Sequence, residues 1–432
     1  MTKNARTTTI SLDIGRILRY KFNIGIIGGM DMAKGKNMLI AQSGGPTAAI
    51  NATLAGAVSE AMQHPEIGQI YGARNGIAGL LEEKIINLRE HLKTQADFDR
   101  LVATPAMALG SCRVRLDEES YAVYQRIAEV FHKWEIGYFF YIGGNDSMDT
   151  VQKLADYFKT TGEDIAIIGI PKTIDNDLTC TDHTPGFGSA ARYIAASVAE
   201  IFTDSEIYVP DSMTVVEIMG RNAGWLTAAA ALARRPGCPA PHMICMPEVP
   251  FDMEKFLARV EELSKQHPHL IIAVSEGVRR SDGSDLASDN MLDPFGHQQL
   301  SGVGQRLGHL LKVRFGVKVR AIEFNVLQRA AAHIQSETDI EESLNIGAHG
   351  VKLALAGESG VMAAFERLSD KPYEIRYGAA DVHQVANRER TVPVEWIDGD
   401  KMDIRQELVD YLTPLIQCPS QKEPGIPEHF VF

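Results

Sequence analysis

The chain has 432 residues, 45 % hydrophobic and 23 % charged, which is typical of globular proteins and excludes a largely disordered or fibrous chain. At about 150 residues per domain, this length predicts two or three domains. The 43 basic and 56 acidic residues give a net charge of −13. That charge argues against nucleic acid or a membrane surface as partner, but it allows a small anionic substrate in a local basic pocket.

Five cysteines are scattered without a CxxC pair or zinc-type spacing, so we predict reduced thiols in a cytoplasmic protein. No apolar run reaches the roughly 20 residues that a membrane span needs. Residues 1–37 begin with a basic stretch but lack the long apolar core of a signal peptide. We predict an N-terminal extension there, with a transit-like segment as the alternative and Met32 or Met38 as a natural start before the first strand.

The first predicted unit is a strand, a glycine turn and a helix. Residues 38–42 are apolar, Gly44-Gly45-Pro46 follows, and residues 48–62 are alanine-rich with apolar spacings of three and four. Such a unit is typical of phosphate binding, because glycines let backbone N–H groups approach an anion. The turn matches neither GxxxxGK[ST] nor GxGxxG, and a simple tight turn is the alternative interpretation.

The same pattern recurs along the chain. We predict strands over residues 138–142, 165–170, 214–218, 242–245 and 270–274, and helices over about 148–158 and from 224 to about 234. Strands that alternate with helices predict an α/β protein with mostly parallel sheets covered on both faces. Polar residues follow several strands, at the sheet edge where such proteins bind ligands. Residues 279–299 are polar and predict a loop, and the tail after Pro393 carries no chemical motif.

Two of the loops that follow strands carry carboxylates. In the first, Asn145 and Asp146 follow a Gly-Gly pair, and an amide oxygen beside a carboxylate suits Mg²⁺, although helix capping explains the same residues. In the second, residues 171–177 (PKTIDND), Asp175 could take a proton from a hydroxyl group and Lys172 could neutralise phosphoryl charge. An Asx-turn with solvated charges is the alternative for this loop.

Several arginines and one glutamate complete the candidate residues. Guanidinium groups bind phosphate through two parallel hydrogen bonds, which makes Arg113, Arg221, Arg320 and Arg329 candidates for phosphate contacts. Scattered surface arginines are the alternative interpretation. Glu276, at a strand end, could accept hydrogen bonds from sugar hydroxyls, and a solvated edge residue is its alternative.

In chain order, these motifs resemble those of the 6-phosphofructokinase family over residues 38–339. The resemblance consists of residues 44–46, 143–147 (GGNDS), 171–177, 219–224 (MGRNAG), 275–277 and 327–329. It implies the phosphofructokinase fold, with two Rossmann-like three-layer domains and mostly parallel sheets. It also implies Mg²⁺-assisted phosphoryl transfer to the C1 hydroxyl of fructose 6-phosphate.

The resemblance implies a role for each candidate residue. Asp175 matches the catalytic base, with Thr173 and Asp177 beside it, and Asn145 stands at the metal position. Gly44, Gly45 and Arg113 match positions that contact the donor phosphates. The sugar-phosphate site would consist of Met219, Gly220, Arg221, Glu276, Arg320, Val326, Leu327, Gln328 and Arg329. In this family one such arginine often comes from a neighbouring subunit, which implies a homodimer or homotetramer.

Asp146 and Lys172 decide the predicted donor. Members that use ATP carry glycine at the position of Asp146, whose carboxylate would lie where the α-phosphate of ATP must bind. Repulsion between like charges in a desolvated site is worth kilocalories, and Lys172 follows the pattern of the pyrophosphate users. The resemblance therefore favours the pyrophosphate-dependent branch and a reversible reaction. An ATP-dependent enzyme and a non-catalytic regulatory subunit are the alternatives.

Three residues depart from the family pattern. Asn145 stands where an aspartate is usual, Val326 where histidine or tyrosine touches the sugar phosphate, and Ser212 where many members have an arginine. The predicted domains are a donor domain of residues 38–186 completed by 328–392, a sugar-phosphate domain of residues 187–327, and a C-terminal tail of residues 393–432.

Overall fold

The computed structural model describes residues 20–22, 35–112, 114–116, 121–286, 288–292, 298–300 and 302–419. Most of the predicted N-terminal extension lies outside these residues, and so does the predicted phosphate contact Arg113. The first strand begins at Lys36, two residues before the predicted start.

Fifteen strands occur in the described part of the chain. They are β1 (Lys36–Gln42), β2 (Ile67–Ala73), β3 (Ile85–Asn87), β4 (Ile136–Gly143), β5 (Ala166–Pro171), β6 (Ser212–Ile218), β7 (Met243–Cys245), β8 (His269–Ser275), β9 (Ser288–Leu292), β10 (Gln298–Leu300), β11 (Lys318–Glu323), β12 (Val361–Asp370), β13 (Tyr373–Asp381), β14 (Ile397–Asp398) and β15 (Asp403–Ile404).

These strands form two main sheets. The first has the order β13-β12-β5-β4-β1-β2-β3, in which only the edge pairs β12–β13 and β2–β3 are antiparallel. The second has the order β11-β6-β8-β7 and is parallel throughout. The chain leaves the first sheet after β5, builds the second, and returns to the first with β12 and β13. The proposed domain boundaries remain a prediction.

Within the described ranges, twelve α-helices accompany the strands. They are α1 (Ile50–Ala61), α2 (Gly76–Leu81), α3 (Leu88–His91), α4 (Gln95–Ala103), α5 (Tyr121–Lys133), α6 (Asn145–Thr161), α7 (Phe187–Glu206), α8 (Trp225–Ala229), α9 (Met253–Ser264), α10 (Val303–Phe315), α11 (Glu337–Leu355) and α12 (Gln406–Leu412). None of these helices has both the length and the apolar character that a membrane crossing requires.

Helices cover both faces of both sheets. Helices α1, α4 and α11 pack on one face of the first sheet, and α2, α5 and α6 pack on the other. The second sheet lies between α7, α8 and α12 on one side and α9 and α10 on the other. Central strands are buried on both faces, as all seven residues of β6 and of β8 illustrate. The predicted α/β class with mostly parallel sheets is therefore confirmed.

The structure corrects one prediction about a segment. Residues 279–299 are not only a loop, since β9 and β10 form an antiparallel pair there, held by backbone hydrogen bonds that polar residues can make as well as apolar ones. In the predicted C-terminal tail, Leu408, Leu412 and Leu415 are buried in the core beside the second sheet. Elsewhere the predicted strands and helices differ from the observed ones mainly at their ends.

Candidate active site

The carboxyl ends of β1, β4, β5, β6 and β8 open into one cleft of about 840 Å³. Parallel strands that point the same way bring their following loops together, so loops more than 200 residues apart in sequence line one space. The lining includes the predicted residues Gly44, Gly45, Asn145, Asp146, Lys172, Thr173, Asp175, Asp177, Met219, Arg221, Glu276 and Arg329. Most of the residues predicted from the motifs thus meet at one site.

The glycine turn after β1 allows two cations to approach its backbone. Lys172 Nζ donates to the Gly45 carbonyl oxygen at 2.8 Å. A Cβ atom at Gly45 would lie only 2.7 Å from Arg329 Nη2, and Gly44 has a φ of +78° that favours glycine. Larger residues at either position would displace these cations or strain the turn.

The loop after β5 presents the predicted base. The Asp175 backbone N–H donates to Thr173 Oγ1 at 3.1 Å. Burial raises the pKa of Asp175 above its ordinary value, and the charges of Lys172 and Arg329 only partly offset this effect. A carboxylate with a raised pKa is a stronger base than a solvated one, which suits the removal of a hydroxyl proton.

Asp177 is the second carboxylate of this loop, and its charge is poorly compensated. Burial, followed by the charge of Asp175, raises the pKa of Asp177 to about 7. Its Oδ1 atom is buried and has no hydrogen-bond partner among the described residues. Such an atom costs stability unless a ligand or a proton satisfies it.

The opposite wall of the cleft comes from the second sheet. Gly220 N donates to Glu276 Oε1 at 3.3 Å, and Met219 N donates to the buried Gln328 side chain at 3.4 Å. Burial raises the pKa of Glu276 to about 7. Arg221 lines the cleft beside them. This wall offers hydrogen-bond acceptors together with a cation, a combination that suits a sugar phosphate.

Asp146, in the first turn of α6, pairs with a residue that the sequence motifs did not indicate. Arg115 Nη2 donates to Asp146 Oδ1 at 2.5 Å. Arg115 follows the predicted contact Arg113 by two residues, which is the one signal in the sequence that could have found it. The pair places both a carboxylate and a guanidinium in the cleft beside the start of α6.

Asn145 anchors another segment that sequence analysis missed. Its Oδ1 accepts a hydrogen bond from Asn387 N, and its Nδ2 donates to the Arg388 carbonyl oxygen, both at 2.6 Å. Glu389, in the same segment, lines the cleft and accepts hydrogen bonds from Asn222. Asn222 lies within the MGRNAG motif, but no motif indicates Asn387 or Glu389. The role of Asn145 toward a metal remains a prediction.

The charges of the cleft suit an anion that arrives with a divalent cation. Five carboxylates (Asp146, Asp175, Asp177, Glu276 and Glu389) lie alongside the cations Arg115, Lys172, Arg221 and Arg329. Among the described residues, no three His, Cys, Asp or Glu side chains form a ready-made metal site. Mg²⁺ usually binds through one or two carboxylates, waters and substrate phosphates, so Asp146 beside Asn145 fits that ion.

Five predicted sugar-phosphate residues are not part of the lining of this cleft. Gly220 and Gln328 contact lining residues, Glu276 and Met219, whereas Arg320, Val326 and Leu327 lie outside. Arg320 is on the edge strand β11, where it faces Asp204 at 3.6 Å and the ring of Tyr208. The side chains of Val326 and Leu327 are 60 % and 63 % exposed. Their roles remain predictions.

Comparison with known proteins gives consistent matches over most of the chain. The family model described as phosphofructokinase matches residues 37–353. The pyrophosphate–fructose 6-phosphate 1-phosphotransferase of Methylococcus capsulatus is 43 % identical over 387 residues, which cover 88 % of this chain and 92 % of that protein. The protein of the same name from Halomonas elongata is 42 % identical over 386 residues, with the same coverage.

A solved structure agrees with these matches. The crystal structure of the pyrophosphate-dependent phosphofructokinase from Nitrosospira multiformis superimposes with a TM-score of 0.81 at 40 % sequence identity. The superposition covers 89 % of this chain and 92 % of that chain.

Proposed function

The chain belongs to the phosphofructokinase family, and we propose that its cleft transfers a phosphoryl group from pyrophosphate to the C1 hydroxyl of fructose 6-phosphate. The products are fructose 1,6-bisphosphate and phosphate. The protein is thus a phosphotransferase of the pyrophosphate-dependent branch. The observation that carries the proposal is that Asp146, Lys172 and Asp175 line one cleft together with the Met219–Arg221 wall.

On the acceptor side, the second sheet holds the sugar phosphate. The Glu276 carboxylate accepts hydrogen bonds from sugar hydroxyls, and Arg221 binds the 6-phosphate. Arg329 lies against the glycine turn and can bind phosphate from there. Holding the acceptor in this way turns a bimolecular step into one within a complex, which lowers the entropic part of the barrier.

The chemical step starts at Asp175. Its carboxylate takes the proton of the C1 hydroxyl, and the oxygen attacks the terminal phosphorus of pyrophosphate in line with the bridging oxygen. The bond between this phosphorus and the bridging oxygen breaks, and the other half of pyrophosphate leaves as phosphate. Lys172 Nζ, held at the Gly45 carbonyl, offsets the charge that develops on the transferring group.

A magnesium ion would be held by Asp146 and Asn145 and, when bound, would neutralise charge on the donor oxygens. Most of its other ligands would be water and pyrophosphate, because few protein oxygens are offered. Asp177, whose Oδ1 has no hydrogen-bond partner in the described part of the chain, places a carboxyl group close to the base and to the donor.

Donor choice follows from the Asp146–Arg115 pair. The carboxylate occupies the entry to α6, where a longer nucleotide would have to place an additional phosphate. Arg115 neutralises that carboxylate and remains within reach of a short, highly charged donor. The phosphoanhydride of pyrophosphate and the ester product have similar transfer potentials, so the reaction runs in both directions.

Arg320 serves the cleft of a second copy of the chain in a homodimer or homotetramer. In its own chain it lies on an edge strand outside the cleft, 5.6 Å from the ring centroid of the exposed Tyr208. We place the enzyme in the cytoplasm, since all five cysteines are described and none of them forms a disulfide.

The proposal is tested by fructose 1,6-bisphosphate formation from fructose 6-phosphate and Mg²⁺, with pyrophosphate and ATP compared as donors. We expect turnover with pyrophosphate, and a loss of at least about 10²-fold in kcat in Asp175→Asn, because the amide cannot accept the proton. An Asp175→Asn variant with wild-type kcat would show that Asp175 is not the base. Turnover with neither donor would favour a regulatory subunit instead.

A further inference from the structure

The residue between the two loop carboxylates is held in a left-handed conformation from outside the loop. Asn176 has a φ of +55°, a conformation that residues other than Gly, Asn and Asp rarely adopt. Its Nδ2 donates to the hydroxyl oxygen of Tyr411 at 3.1 Å. Tyr411 belongs to α12, 235 residues further along the chain, so the C-terminal tail contacts the loop that bears Asp175.

Arg390 makes a second contact with the same loop. Its backbone N–H donates to the carbonyl oxygen of Asp177 at 2.7 Å. Its guanidinium donates to Tyr411 Oη at 2.9 Å and to the carbonyls of Thr181 and Asp182. The guanidinium also stacks on Trp225, 4.5 Å from the ring centroid. Arg390 therefore joins the loop, α12 and the second sheet's helical layer.

The Tyr411 hydroxyl is fully used by these contacts. It accepts hydrogen bonds from Asn176 and Arg390 and donates one to the Asp182 carbonyl at 2.6 Å. Tyr411 is 8 % exposed, and its ring packs against Trp225 and Trp396. A buried hydroxyl that makes all its possible hydrogen bonds has little freedom to move, so it fixes the position of the Asn176 side chain.

We propose that Tyr411 and Arg390 are positioning residues for the catalytic loop, and this inference rests on the function proposed above. Neither residue itself lines the cleft. Tyr411 acts through Asn176, and Arg390 acts through the backbone carbonyl of Asp177, which does line it. A base must lie within hydrogen-bond reach of the proton it removes, and a displacement of about 1 Å can cost about 10²-fold in rate. Both residues lie beyond residue 353, where the match to the family model ends.

The test compares two tyrosines that lose the same atom. Tyr411→Phe removes the hydroxyl that binds the loop. Tyr373→Phe removes a hydroxyl that donates to Glu342 at 2.7 Å and does not touch the loop. The rings of both tyrosines pack against the Arg367 guanidinium, at 4.4 and 5.1 Å, so the two losses are chemically matched.

For Tyr411→Phe we expect kcat to fall about tenfold or more in the pyrophosphate assay, with the KM for both substrates within about twofold of wild type. Tyr373→Phe should keep kcat within about twofold of wild type, even if its Tm falls as much as that of Tyr411→Phe. Asn176→Gly preserves the left-handed conformation but removes the amide, so it should reproduce the loss of kcat. The double variant with Tyr411→Phe should be no slower than the slower single variant.

A Tyr411→Phe enzyme with wild-type kcat, or equal losses in Tyr411→Phe and Tyr373→Phe, would overturn the inference. If Tyr411→Phe does not fold, Asn176→Gly decides, since an unchanged kcat there would overturn it equally. Wild-type protein without turnover would overturn the proposed function, whereas wild-type turnover with an unaffected Tyr411→Phe would overturn the positioning role alone.

Discussion

Three carboxylates of the cleft, those of Asp175, Asp177 and Glu276, are buried where ionisation is costly. Burial raises the pKa of each, and for Asp177 and Glu276 the value reaches about 7. An isolated fold would gain by replacing them with neutral residues. Their presence fits a functional site, where lower folding stability is accepted because the carboxylates serve as a base and as partners for a positively charged ligand.

For Asp177, the loss of folding stability can be measured through its dependence on pH. Its pKa rises from 3.8 to about 7 on folding, so between about pH 4 and pH 7 the folded state holds a proton that the unfolded state has released. Stability from this residue is therefore lost as the pH rises through that window. We expect Asp177→Asn to raise Tm by roughly 2–4 °C at pH 8, and by much less at pH 5, while lowering activity.

Calorimetry of the ligand-free protein at both pH values measures this difference. Asp400→Asn is the control, because the Asp400 side chain is 96 % exposed and its only described ion pair, with Lys255, is 3.8 Å long. The control should show no pH-dependent gain. A gain in Asp177→Asn that is the same at pH 5 and pH 8 would contradict the assignment.

At the residue scale, the sequence indicates the cleft residues that belong to a recognisable motif, but it does not indicate those that lie outside any motif. Asp175, Lys172, Arg221 and Glu276 all follow strands, and strand ends in a parallel sheet meet at one edge. Glu389 has no such signal, because the chain brings it to the cleft only after building both sheets. Spacing along a sequence carries no information about such a return.

At the scale of elements, α6 links the loop that follows β4 to the C-terminal part of the chain. Helix α6 begins at Asn145, three residues before the predicted start, and Gly144 is its N-cap. The Asn145 side chain binds the backbone of residues 387 and 388, and Asn387 Nδ2 donates to Asp149 Oδ1 at 2.9 Å. This explains why an amide serves at position 145, since a carboxylate could not donate to the Arg388 carbonyl.

We therefore expect Asn145→Asp to loosen the segment of residues 387–390. Arg388 and Arg390 are trypsin sites, so limited trypsin digestion followed by mass spectrometry should show faster cleavage there, by about tenfold if roughly 1.4 kcal/mol of local stability is lost. Thr160→Val, at the other end of α6, removes a hydrogen bond to Asp156 and should leave cleavage unchanged. Equal cleavage of Asn145→Asp and wild type would show that this amide does not hold the segment.

The element pattern was predictable where burial is regular. Apolar runs found β4, β5, β6 and β8, because central parallel strands are buried on both faces. The β12–β13 pair was not predicted, since β13 alternates exposed and partly buried residues without a glycine motif beside it. Polar residues also hid β9 and β10, whose pairing depends on backbone hydrogen bonds.

At the scale of the whole molecule, Arg320 lies outside the cleft of its own chain, whereas the proposed substrates bring three phosphate groups to the site, two in pyrophosphate and one in fructose 6-phosphate. Its position on the edge strand β11, near exposed apolar side chains, suits an interface with a second copy. A site shared between copies would make activity depend on assembly.

Hybrid assemblies test this sharing. Asp175→Ala and Arg320→Ala should each be nearly inactive alone. Co-expressed with different tags, they should recover roughly a quarter of wild-type activity in a randomly assembled dimer, because one cleft of each hybrid has both residues intact. Purified hybrids that recover no activity would place Arg320 outside the partner's site.

The central claim is that this cleft uses pyrophosphate because Asp146 lies in the first turn of α6, on the side of the cleft where the donor binds. It is tested most directly by the ratio of kcat/KM for pyrophosphate to that for ATP, measured in wild type and in Asp146→Gly. The account predicts turnover with pyrophosphate in the wild type and a ratio at least tenfold lower in Asp146→Gly, about 1.4 kcal/mol of discrimination. A wild-type enzyme that prefers ATP, or an Asp146→Gly variant with an unchanged ratio, would contradict it.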